Sequence, residues 1–119
     1  MQEETYLTIF EKINGKKIDV QYDSGAHYQM TYLSDIELRW DALGQLSEGE
    51  APTGTEPYWS EMITDDIYFI NWIEADGMTA SQVIDFSSHK VRAFLTWEDK
   101  EARGGRDQVL LKGSFSIVD

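Results

Sequence analysis

The stretch DIYFINWIEADG, residues 66–77, alternates. Tyr68, Ile70 and Trp72 fall on one side of an extended chain. A period of two is that of a β-strand, and Asp76-Gly77 just beyond it is a hairpin turn, because Gly takes positive φ without a steric penalty. The same parity carries Glu74 onto the face of those three apolar residues. A carboxylate there is either solvated at the rim of a core or aimed into a cavity, where it would bind or do chemistry.

The alternation extends in both directions. KIDVQY sets Ile18, Val20 and Tyr22 against Asp19 and Gln21, and HYQMTYL sets Tyr28, Met30 and Tyr32 against His27, Gln29 and Thr31. Asp23-Ser24-Gly25-Ala26 between them is turn chemistry, so the two runs read as a hairpin. DIELRWDAL faces Ile36, Leu38 and Trp40 one way and Glu37, Arg39 and Asp41 the other. Residues 44–57 hold both prolines and most of the turn formers between strands, and read as a loop. YWSEMIT and DIYFINWIE are joined tightly at Thr64-Asp65-Asp66. SQVIDF, KVRAFLTWE and VLLKGSFSIV follow, separated by Ser87-Ser88-His89 and by DKEARGGRD. The last run directs Val109, Leu111, Gly113, Phe115 and Ile117 inward, and its central Gly113 suits a sharp bend where a sheet closes.

About eight short strands with hairpin turns define an all-β chain, an antiparallel up-and-down barrel or a sandwich. Only the N-terminus departs from the pattern. Tyr6, Ile9, Phe10 and Ile13 lie at helical spacing and Thr8-x-x-Glu11 resembles a capping box, so a short helix plugging one end is expected.

Composition narrows the class. The 119 residues form a single domain, 1–119, large enough for one core. There is no cysteine, which removes disulfides and thiolate metal sites. MQEETYLTIF has no basic region followed by an apolar run, and no apolar stretch approaches the roughly 20 residues of a membrane span. A cytoplasmic protein without a membrane partner is expected. With 22 acidic and 10 basic residues the net charge is −12. That charge repels phosphate backbones over a Debye length of about 8 Å, so nucleic acid is not an expected partner. A homodimer is compatible with the sequence.

A barrel of this size is either filled by side chains or holds one small ligand. The inward faces carry Tyr22, Tyr28, Tyr32, Trp40, Tyr68, Trp72, Glu74, Phe86, Trp97 and Phe115. A dry core would lean on Val, Leu and Ile. Rings with polar tips, converging with a carboxylate, describe the wall of a pocket instead. The plainer reading is that the rings fill the barrel and turn their tips to its mouths. Glu74 is the pivot: buried among rings its pKa rises and it becomes a candidate general acid or base, whereas beside a turn it is inert. His27 and His89 lack ligand spacing, so neither a metal nor a cofactor is expected. Arg39 alternates outward, and Gly104-Gly105 lacks the Lys-Ser/Thr of a phosphate loop.

The runs INGKKIDVQYDSGAHYQMTY and IYFINWIEADGMTASQVIDF, with KVRAFLTW, resemble a lipocalin-like (calycin) superfamily that holds the MoaF-like proteins and the phenolic acid decarboxylases. The carrying motif is Tyr-x-x-x-Trp-x-Glu-x-x-Gly at Tyr68, Trp72, Glu74 and Gly77. Size and overall pattern are nearer the MoaF-like group. The resemblance implies an antiparallel barrel around a small cavity. In the decarboxylases two first-strand tyrosines, an arginine and the Trp-x-Glu glutamate act on hydroxycinnamic acids without a cofactor. Here the glutamate matches Glu74 and the second tyrosine Tyr22, while Val20 stands at the first and no arginine aligns.

Three functions are open on this reading. The leading one is a barrel binding a small aromatic or planar molecule through Tyr22, Tyr28, Tyr32, Trp40, Tyr68, Trp72 and Glu74. The second is a cofactor-free lyase or isomerase in which Glu74 transfers a proton and Tyr22 orients the substrate. The third is a protein-interaction module.

Overall fold

Every strand pairs antiparallel with its neighbours in sequence, and the last returns to the first, closing an eight-stranded barrel. The computed structural model describes residues 6–44, 46 and 51–119. Its elements are α1 (Ile9–Ile13), β1 (Lys17–Tyr22), β2 (His27–Tyr32), β3 (Glu37–Ala42), β4 (Thr53–Met62), β5 (Ile67–Ile73), β6 (Thr79–Asp85), β7 (Lys90–Glu98) and β8 (Arg106–Val118). This is the up-and-down barrel, one of the two forms left open by the alternation and the lipocalin-like one that the resemblance implies. Closure runs through β1 and β8, with Ile18 opposite Ile117, Val20 opposite Phe115 and Tyr22 opposite Gly113. At that seam Gly113 is required. A Cβ on it would lie 2.8 Å from the Tyr22 Cα and closer still to the Gln21 carbonyl oxygen.

The turns sort onto two ends. One end collects the β2–β3, β4–β5 and β6–β7 turns and is stoppered by α1. Thr8 caps that helix reciprocally with Glu11, and Ile9 and Ile13 are buried beneath it. The Tyr68 hydroxyl donates to the Leu7 carbonyl at 2.7 Å, and Lys12 reaches the Asp65 carbonyl at 2.8 Å, tying the stopper to β5 and the β4–β5 turn. Below α1 a layer of Ile18, Val20, Leu38, Ile70, Ile84 and Val91 is fully enclosed. Burying a side chain of this kind contributes about 1.5–3 kcal/mol, so this half of the barrel supplies most of the cohesion.

Three expectations are corrected. Residues 53–57 are not loop: β4 begins at Thr53 and pairs with β3 from Thr53–Asp41 to Pro57–Glu37. Pro57 is tolerated because the neighbouring Tyr58 N–H donates to Ile36 on the β3 side, so position 57 points its nitrogen the other way, where the ladder to β5 begins only at Tyr58. The loop assignment holds at 44, 46, 51 and 52, while 45 and 47–50 lie outside the described residues. Ile36 is not an inward strand residue but sits in the β2–β3 turn, closed by the Leu33 N–H to the Glu37 carbonyl, and is 73% exposed. Ile117 keeps the parity of Phe115 but lies next to the last residue of β8, opposite Ile18 at the stoppered end, and stays exposed.

No helix among the described residues is long and apolar enough to cross a membrane.

Candidate binding cavity

The half of the barrel away from α1 is hollow. A cavity of about 270 Å³ opens between the β1–β2, β3–β4, β5–β6 and β7–β8 connections. At about 30 Å³ per water molecule it has room for roughly nine waters, or one small organic molecule. One wall is a run of edge-to-face rings, Tyr22 to Tyr28 at 6.3 Å and Tyr28 to Trp40 at 6.2 Å, contributed by β1, β2 and β3. Trp40 can lie flat against β4 only because its partner is Gly54, where a Cβ would meet the indole at 2.7 Å. The opposing side is supplied by Trp72 on β5 and by Glu74 just beyond it.

The floor is polar. Gln82 on β6 is buried, and its Nε2 donates to the Tyr22 hydroxyl at 3.0 Å across the barrel. Among the described residues its Oε1 has no hydrogen-bond partner, nor have the buried Trp40 Nε1 and Tyr32 hydroxyl. Tyr32 lies away from the cavity and the Trp40 Nε1 lies against Gly54, so Gln82 Oε1 is the one of the three that belongs to the polar floor. Burial also pushes the Tyr22 hydroxyl up to about 12, so it stays protonated at neutral pH.

Glu74 faces the cavity. The Trp72 indole donates to its Oε2 at 3.2 Å, a short-range contact along the strand that fixes the carboxylate's direction. Its pKa is raised above the usual carboxylate range, first by desolvation and then by the charges of Asp76 and Glu56, against the lowering effect of the Trp72 hydrogen bond. Glu56 is itself 6% exposed, and desolvation, with the Asp76 charge, raises its pKa too. The register explains the pairing. Tyr58 sits opposite Trp72 in the β4–β5 ladder, so two residues further on Glu56 and Glu74 extend past the ladder on the same inward face.

A pH dependence follows. A carboxylate whose folded pKa lies above its unfolded value binds more protons in the folded chain, so stability falls as pH rises through that window and is level above it. Glu74→Gln removes this loss. The variant is expected to melt at or above the wild-type temperature near pH 7, with the difference vanishing at about pH 4, below the unfolded value. A variant that melts below wild type across that range would mean the ionised Glu74 is stabilising.

Of the residues singled out from sequence, Tyr22, Tyr28, Trp40, Trp72 and Glu74 line the cavity together. Tyr32 and Tyr68 do not. Tyr32 is buried against Tyr58, ring centroids 5.4 Å apart, and Tyr68 packs on Phe86 beneath α1. Two polar residues near the cavity, Gln82 and Glu56, escaped the sequence reading. Gln82 was legible, since the parity running back from Phe86 through Ile84 reaches it. Glu56 was hidden by the prolines on either side of it. No group of three His, Cys, Asp or Glu side chains able to hold a metal occurs among the described residues.

A closed meander barrel, stoppered at one end and hollow at the other, is a lipocalin-like architecture. Residues 14–107 match the MoaF-like family, and the chain belongs to it. Among solved structures it is similar to one from Burkholderia vietnamiensis provisionally described as a beta-lactamase. The two are 30% identical, with a TM-score of 0.71 over 87% of this chain and 93% of that one. No curated protein matches the chain.

Proposed function

We propose that the barrel is a small-molecule-binding protein whose ligand occupies the open-end cavity. The observation that supports this best is the void itself, walled by four aromatic rings and floored by the Gln82 amide, whose Oε1 has no partner among the described residues. A space-filling core would leave no such void. The chain's four tryptophans provide the assay. Trp40 and Trp72 line the cavity, whereas Trp59 and Trp97 do not. In a fragment screen followed by the indole N–H resonances, small aromatic ligands should move the Trp40 and Trp72 signals and leave the other two in place. Shifts confined to Trp59, or none with any fragment, would count against the cavity as the site.

The lyase reading is weaker here. Val20 is fully buried in the solid layer and offers no hydroxyl, and among the described residues no arginine or lysine lines the cavity to hold a substrate carboxylate. The lactamase description of the Burkholderia protein also finds little support. A Ser-x-x-Lys spacing does occur, at Ser87 and Lys90, but in the exposed β6–β7 turn at the stoppered end, with the Ser87 hydroxyl donated to Asp85 at 2.6 Å. An interaction module has one observation behind it. Trp59, Phe94 and Leu110 are exposed along one outward row that runs across β4 to β8 through Asn71 and Ser81. Sedimentation at two concentrations tests it, a constant monomer mass counting against self-association through that row.

A further inference from the structure

We propose that the ligand is an organic cation: a small aromatic or alkyl ammonium ion, its charge toward Glu74 and its body against Tyr22, Tyr28, Trp40 and Trp72. This rests on the binding reading above and adds the charge of what binds. Among the described residues the cavity wall contains no lysine, arginine or histidine, while Glu74 and Asp76 are both part of it. Neither Glu74 nor the inward-facing Glu56 has an ion-pair partner among the described residues. Two basic side chains near this end are engaged elsewhere. Arg106 on β8 donates to the Gly77 carbonyl and the Thr96 hydroxyl, each at 2.9 Å, and His27 is bonded to Asp19 at 2.6 Å.

Glu74 is half-buried and Glu56 buried, and carboxylates withdrawn from water without a counter-charge are costly unless something supplies one, which a cationic ligand does. Two further features of the cavity select the same class. Gln82 Oε1 is a buried acceptor that lacks a donor, and an ammonium N–H is a donor. Tyrosine and tryptophan faces attract cations through their quadrupoles, the basis of aromatic cages for ammonium groups. The protein's net charge of −12 draws cations to the mouth and repels anions from it. An aromatic acid, the class suggested by the decarboxylase resemblance, would instead place its carboxylate against Glu74 and Asp76.

Three ligands of nearly equal shape decide the matter: benzylamine, benzyl alcohol and benzoate, titrated near neutral pH against the Trp40 and Trp72 indole signals. Benzylamine should bind at least about tenfold more tightly than benzyl alcohol, and benzoate should not shift the signals. Glu74→Gln should weaken benzylamine by about tenfold and benzyl alcohol by clearly less. Unmoved Trp59 and Trp97 signals would confirm that the variant is folded, and the wild-type comparison decides the point without it. If the alcohol or benzoate binds as tightly as the amine, the cation assignment is overturned and the binding reading stands. If none of the three moves Trp40 or Trp72, both fall.

Discussion

Gly113→Ala is expected to destabilise the protein by about 3 kcal/mol, a drop in melting temperature of roughly 12 °C. The backbone at 113 is ordinary strand, so the effect does not come from a strained φ. It comes from the seam. The added methyl would have to displace the Gln21–Tyr22 backbone of β1, with the Tyr22 Cα at 2.8 Å, and backbone held in a closed ladder cannot move aside as a flexible side chain can. Ser114→Ala, one residue on and exposed, serves as control and should stay within about 0.5 kcal/mol of wild type. If the two variants melted together, β1 and β8 would not approach as closely as a closed barrel demands.

A second large effect distinguishes the solid half of the barrel from the hollow half. Phe115 is held edge-to-face by Phe86 at 5.3 Å and stacked on His89 at 5.1 Å, with 5% of its surface exposed. Truncation leaves a void that closed walls cannot fill, so Phe115→Ala should cost about 3–5 kcal/mol. Trp72 is nearly as buried but lines the cavity. Its removal enlarges an existing space that water can enter, so Trp72→Ala should cost at least about 1 kcal/mol less than Phe115→Ala despite the larger side chain. Denaturant unfolding of both variants measures this directly. Equal losses, or a greater one at Trp72, would mean that the open end is as tightly packed as the closed one.

Fold was more legible in this sequence than site. Period-two runs name inward residues wherever turn chemistry brackets the strand cleanly, as at Ile18–Tyr22 or Tyr68–Trp72, and there sequence and structure agree. They fail where another signal overrides them. Pro57 disguised half of β4 as loop, because a proline argues against a strand unless its nitrogen happens to face an unpaired stretch, and that depends on where β5 ends. Ile36 misled for the opposite reason, an apolar residue in step with a strand that starts one residue later. For the cavity, parity alone could say that Tyr32 and Tyr68 point inward but not how far along the barrel they sit. That depth is set by shear and by α1, which are properties of the closed sheet and not of any one strand. The meeting of Glu56 with Glu74 is a register between two strands, and no single-strand pattern carries it.

Most directly, a crystal of the protein grown with benzylamine would test the account. The predicted result is the aromatic ring against Tyr28, Trp40 and Trp72, with the ammonium within hydrogen-bond reach, about 2.7–3.2 Å, of Glu74. A cavity empty of ligand, with the amine bound only on the outer face around Trp59 and Leu110, would contradict it.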